Sequence, residues 1–128
     1  MNWINLSTKK ILVAEDETSN YLFLKELLED SGATIIWAKT GQEVINQIVY
    51  KGVQVDLVLM DIKMPELNGL AATRIIKERF PELPVIAQTA YAMKEEKEKC
   101  LAGGCDDYIA KPIDIDELIK KIKKYLEK

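Results

Sequence analysis

Four consecutive apolar residues, Leu57, Val58, Leu59 and Met60, lie between Asp56 and Asp61, and Pro65 follows shortly after. A short run that is apolar on both of its alternating faces suits a strand covered on both sides, as in the middle of a parallel sheet. Such a strand demands crossover helices before and after it, and this restricts the chain to an α/β arrangement. Asp61 stands where the strand emerges. Ligands of α/β sheets bind in the crevice beyond the carboxyl ends of the strands, so a carboxylate there is a candidate functional group. On this run alone, an Asp that merely caps a turn is an equal reading.

The rest of the chain supplies the layers. Residues 10–14 are a short apolar strand running into Glu15-Asp16-Glu17. Over 18–31, Tyr21, Leu24, Leu27 and Leu28 recur at helical spacing, and Gly32 supplies the stop. Residues 34–38 are β-branched and strand-like. Thr40 with Glu43 reads as a capping box opening a helix that buries Val44, Ile45, Ile48 and Val49. Asn68-Gly69 begins a third helix carrying Leu70, Ile75, Ile76 and Phe80; a loop over 81–84 and a strand over 84–88 follow, then Thr89-Ala90-Tyr91. Residues 93–101 are helical by propensity but carry six charged residues in succession from Lys94, so this helix has little apolar face and is the one expected to move. After Gly103-Gly104 come a fifth strand over 107–110, Lys111-Pro112, and a last helix opened by Asp114 and Glu117 that buries Leu118, Ile119, Ile122 and Leu126. Five strands alternating with five helices predict a doubly wound, five-stranded parallel sheet, and the flavodoxin-like order 2-1-3-4-5 is the expected one.

Composition narrows the function. At 128 residues the chain makes one domain, and 48% hydrophobic with 30% charged residues points neither to disorder nor to a membrane span. No apolar run is long enough to cross a bilayer and no signal peptide is apparent, so a cytoplasmic location and no membrane contact are expected. Residues 1–9, irregular apart from Trp3, Ile4 and Leu6, read as a linker remnant. A net charge of −3 argues against a nucleic-acid partner. The basic cluster Lys120, Lys121, Lys123 and Lys124 reads as a solvated helix face at the favourable end of the dipole. Cys100 and Cys105 are too few for a disulfide framework and read as buried or half-buried free thiols. With no histidine in the chain, Ser-His-Asp and Cys-His catalysis and His-bearing zinc sites cannot be built.

In the expected order, the switch point falls between the strands ending in Glu15-Asp16 and in Asp61, so three carboxylates converge. Ionised carboxylates about 5 Å apart repel by roughly 3 kcal/mol per pair at an effective dielectric near 20, and the cluster therefore calls for a cation. Oxygen-only ligands favour Mg²⁺ over zinc or copper. Thr89 and Lys111 arrive at the same sheet edge from the fourth and fifth strands. A carboxylate nucleophile, a divalent cation, an ammonium and a hydroxyl together suit capture of a phosphoryl group.

The segments Ile11-Leu12-Val13-Ala14-Glu15-Asp16, 57–65 with Asn68-Gly69, Thr89-Ala90, Asp107-Tyr108 and Lys111-Pro112-Ile113 resemble the receiver domain of two-component response regulators, over essentially the whole chain after residue 9. Residues 59–65 and 99–104 are similar to receivers attached to hybrid histidine kinases. The resemblance implies that Asp61 is the phospho-acceptor, that Asp16 binds Mg²⁺ directly and Glu15 mostly through water, and that the Lys63 main-chain carbonyl completes the protein ligands. It further implies that Lys111 holds a phosphoryl oxygen, that Thr89 and Tyr108 are a switch pair, and that the Lys111-Pro112 peptide is cis. Lys63 and Tyr91 stand at positions that vary in that family and tune hydrolysis.

The implied domain is 10–128, and the implied partner a histidine kinase or histidine phosphotransfer domain that supplies the phosphohistidine. Phosphorylation-dependent dimerisation is a further expectation. Such a domain catalyses its own phosphorylation and slow dephosphorylation, and the parent of an excised hybrid segment would be a protein kinase. Two other classes compete. A haloacid-dehalogenase-type phosphatase wants a second Asp two residues after the first, where this chain has Lys63. A flavodoxin-like cofactor binder wants a phosphate-cradling loop after the first strand, where Glu15-Asp16-Glu17 would repel phosphate.

Overall fold

The structure, a computed structural model, describes residues 5–90 and 94–127. Trp3 and Ile4 of the expected linker, Tyr91, and the expected helix start at Met93 lie outside the described residues.

Five strands, β1 (Lys10–Ala14), β2 (Thr34–Ala38), β3 (Leu57–Asp61), β4 (Val85–Thr89) and β5 (Asp107–Ala110), form one parallel sheet in the order β2-β1-β3-β4-β5. This is the expected order. Every residue of β3 and β4 is buried, as continuous apolar runs require when helices cover both faces. The register sets Ala14 opposite Met60 and Asp61 opposite Gln88, so the strands end level along one edge.

The helices are α1 (Thr18–Glu29), α2 (Gly41–Ile45), α3 (Gly69–Arg79), α4 (Lys94–Ala102) and α5 (Ile115–Leu126); α2 runs on into a π-helical stretch over Asn46–Tyr50. On one face, Tyr21, Leu24 and Leu28 of α1 and Leu118, Ile119 and Ile122 of α5 pack on Ile11, Val13, Leu57 and Leu59. On the other, Val44, Ile48, Ala72, Ile76 and Cys100 from the remaining helices pack on Leu12, Val58, Met60 and Val85. The alternation along each strand thus serves two cores.

Side-chain caps set three helix starts. Thr40, Asn68 and Asp114 accept hydrogen bonds from the main-chain nitrogens of Glu43, Ala71 and Glu117 at 3.0, 2.9 and 3.1 Å. The return arm of the Thr40 box goes one residue further back, where Glu43 accepts from the Lys39 nitrogen at 3.3 Å.

Several expectations need correction. Phe80 caps α3 and is 42% exposed, because the buried stripe runs through Ala72, Thr73 and Ile76 instead. Leu6, in the stretch read as linker, is buried on the α1 side, and its nitrogen donates to the Ser31 carbonyl at 2.8 Å. Lys121 is only partly solvated: it ion-pairs with Asp107 at 3.1 Å and donates to the Tyr108 carbonyl. Cys100 and Cys105 are buried free thiols, and α4 buries only Cys100, as its charge pattern implied.

Candidate functional site

Asp61 is the last residue of β3 and is 6% exposed at the floor of a crevice of about 200 Å³. One carboxylate oxygen accepts from the Lys63 nitrogen at 3.1 Å, and the other faces the Lys111 ammonium, also at 3.1 Å. The loop after Asp61 is held by close backbone approaches. Gly69 donates to the Ile62 carbonyl at 2.9 Å, and a Cβ on Gly69 would overlap the Asp61 carbonyl. A Cβ on Gly41 would likewise overlap the Leu67 carbonyl. Only glycine lets these segments touch.

Glu15 follows β1 directly and is fully buried, with its oxygens taken by Lys111 at 3.0 Å and by the Glu17 nitrogen at 3.2 Å. Burial pushes its pKa up to about 7; Lys111 works against that shift and the neighbouring Asp61 adds to it. Burial also works against the Lys111 ammonium, but Glu15 and Asp61 outweigh it and hold its pKa above the ordinary lysine value.

Asp16 is exposed beside them. Glu15, Asp16 and Asp61 each offer a carboxylate oxygen, all within 4.8 Å of one another. The donor set is oxygen only and fits a hard divalent cation, since one ammonium leaves three acids undercompensated. Lys111, on the loop after β5, enters through the cis Lys111-Pro112 peptide that was expected.

Thr89, at the end of β4, is 3% exposed and lines the same crevice with Lys63 and Lys111. Tyr108 is not part of that crevice. It lies half-buried on β5, its ring 5.4 Å from the Lys97 ammonium and 4.8 Å from that of Lys121.

Two participants escape a sequence reading. Trp37 donates its indole N–H to the Glu15 carbonyl at 2.8 Å while stacking on Tyr21 at 3.9 Å. Gln88, opposite Asp61 in the register, lines the crevice, and its side-chain oxygen and nitrogen have no hydrogen-bond partner among the described residues. A Gln in an apolar strand was the available signal.

Fold and site together describe a doubly wound α/β domain with an acidic crevice at its switch point. The family profile of the response regulator receiver domain matches residues 11–123, and the chain belongs to that family. It is 40% identical over 121 residues to the polar-differentiation response regulator DivK of Brucella ovis, covering 93% of this chain and 97% of that protein. Among solved structures, it is similar to the receiver domain of the sensor histidine kinase PA1611 of Pseudomonas aeruginosa, which has a magnesium ion coordinated in its active-site cleft. That likeness has a TM-score of 0.82 and 31% identity, over 94% of this chain and 98% of the other. It is also similar to the receiver domain of Ssk1 of Saccharomyces cerevisiae, solved with the histidine phosphotransfer protein Ypd1, with a TM-score of 0.84 and 29% identity over 91% of this chain and 88% of the other.

Proposed function

We propose that Asp61 accepts a phosphoryl group from a partner's phosphohistidine and that the domain, residues 10–128, relays the signal by changing conformation. The observation that carries this reading is the Asp61 carboxylate at the end of the central strand, 3.1 Å from the Lys111 ammonium and grouped with two further acids. An Asp61 oxygen attacks phosphorus as the phosphorus–nitrogen bond breaks, and the bonding pair leaves with the imidazole. Lys111 holds a phosphoryl oxygen and the Thr89 hydroxyl donates to another. The Lys63 N–H keeps the acceptor carboxylate oriented.

The residues that would hold Mg²⁺ are Glu15, Asp16, Asp61 and the main-chain carbonyl of Lys63. When bound, the ion supplies positive charge against the carboxylates and the incoming phosphoryl oxygens. The magnesium in the PA1611 receiver supports this assignment. The Ypd1–Ssk1 complex supports a histidine phosphotransfer domain or a histidine kinase as donor. A place within a hybrid histidine kinase draws support from the PA1611 kinase receiver and a stand-alone regulator from DivK. Dimerisation on phosphorylation belongs to the same proposal. So does a cytoplasmic setting without nucleic-acid partners; no helix among the described residues is long and apolar enough to cross a membrane.

Labelling with acetyl phosphate, read by intact mass, tests the acceptor. The wild type gains one phosphoryl group with Mg²⁺ present and none in excess chelator, and Asp61→Asn gains none, because an amide is a poor nucleophile. Undiminished labelling of Asp61→Asn would place the acceptor elsewhere.

A further inference from the structure

The acids that follow β1 sit on a turn that has left the sheet. β1 ends at Ala14 and its neighbour β2 at Ala38, where the Glu15 nitrogen donates to the Ala38 carbonyl at 3.0 Å. Beyond that bond the Glu15 carbonyl takes its partner from a side chain, the Trp37 indole N–H at 2.8 Å. Trp37 stands opposite Val13 in the register of the edge strand β2 and packs against the core on the α1 face. Its ring is itself held. Tyr21 of α1 stacks on it with centroids 3.9 Å apart and planes 3° from parallel, and the Lys39 ammonium lies 4.8 Å from its centroid. A ring fixed in this way aims its N–H in one direction.

We propose that Trp37 is a positioning residue for the metal site, holding the Glu15–Asp16 peptide in the orientation from which Asp16 binds Mg²⁺. A peptide unit is planar, so a hydrogen bond to the Glu15 carbonyl orients the whole Glu15–Asp16 plane and, with it, the direction in which the Asp16 side chain leaves the backbone. Asp16 depends on that more than its neighbours do. Glu15 is buried with its carboxylate on Lys111 at 3.0 Å, and Asp61 belongs to β3, whereas Asp16 is exposed on a bend. Mg²⁺ requires near-ideal octahedral geometry at short distances, so a ligand on a misdirected peptide loses affinity. The inference rests on the Mg²⁺ site proposed above and adds to it a residue that supplies no ligand of its own.

The test titrates Mg²⁺ at fixed pH into the isotope-labelled wild type and into Trp37→Phe, which keeps a ring for Tyr21 but has no N–H, and follows the amide resonances by NMR. The half-saturating Mg²⁺ concentration read at Asp16 and Asp61 rises roughly threefold to tenfold in the variant, the range that one net hydrogen bond covers. Labelling of Asp61 by acetyl phosphate falls accordingly at limiting Mg²⁺ and recovers at saturating Mg²⁺. A second reading needs no substitution in the site. The chain has two tryptophans, and the Trp37 indole N–H, identified as the indole signal that persists in Trp3→Phe, shifts with the same midpoint as Asp16. Equal midpoints in wild type and Trp37→Phe, or an indole resonance unmoved by Mg²⁺, would overturn the assignment and leave the metal site standing. Wild-type Asp16 and Asp61 amides that ignore Mg²⁺ would instead remove the metal site, and the inference with it.

Discussion

Glu15 is fully buried, and burial, with a smaller push from Asp61, raises its pKa against the pull of the Lys111 ammonium. Its pKa of about 7, against 4.5 for an ordinary glutamate, means that the fold holds a proton there which the unfolded chain has released. Between about pH 4.5 and 7 the folded state therefore binds more protons, and the stability contributed by this group falls as the pH rises through that window. The full shift corresponds to at most about 3 kcal/mol. In chelator, the wild type melts several degrees higher near pH 5 than near pH 8, and in Glu15→Gln that difference shrinks because the neutral side chain no longer titrates. Thermal unfolding followed by circular dichroism checks it, and identical pH profiles for the two proteins would contradict the assignment. The sequence shows the three acids and the lysine, but it does not show that Glu15 is fully buried while Asp16 faces solvent. Gln88 showed in the sequence only as a polar residue in an apolar strand; that its amide atoms are buried without a hydrogen-bond partner among the described residues is a tertiary fact.

At the level of elements, the first four strands were legible as compact, largely apolar blocks, and the helix starts because Thr40, Asn68 and Asp114 cap them. Correct strand order then brings Asp61 to Lys111 across 50 residues of sequence. What failed was periodicity where the helix face is narrow. Phe80 ends α3 rather than joining its stripe, and Lys121 turns inward because Asp107 and the Tyr108 carbonyl wait on the neighbouring strand. The close contact of Gly69 with the Asp61 backbone is likewise a tertiary fact, although Asn68-Gly69 was visible as a helix start. Gly69→Ala must displace either α3 or the end of β3. It should cost roughly 1–3 kcal/mol, the usual penalty for overpacking, and slow labelling of Asp61 as the carboxylate shifts. Urea unfolding and labelling rates measure the two effects separately. A variant with wild-type values of both would show that the loop yields without disturbing the acceptor.

Across the whole molecule, the proposed switch would join the acidic crevice to the face formed by α4, β5 and α5 through Thr89 at the end of β4 and Tyr108 near the start of β5. Thr89 already lines the crevice, and α4, which buries only Cys100, is the helix with the least packing to resist movement. A hydrogen bond from Thr89 to a phosphoryl oxygen is charge-assisted and worth about 1.5–3 kcal/mol, enough to shift a two-state equilibrium roughly tenfold to a hundredfold. The Tyr108 ring, held beside Lys97 of α4 and Lys121 of α5, would carry that shift to both helices. Amide NMR with Mg²⁺ and beryllofluoride, an acyl-phosphate mimic, tests the account most directly. In the wild type, resonances of Asp61, Lys63, Thr89 and Lys111 move together with Tyr108 and residues 94–102, whereas Thr89→Ala keeps the first set of shifts and loses the second. Wild-type shifts confined to the Asp61 crevice, with Tyr108 and α4 unmoved, would contradict it.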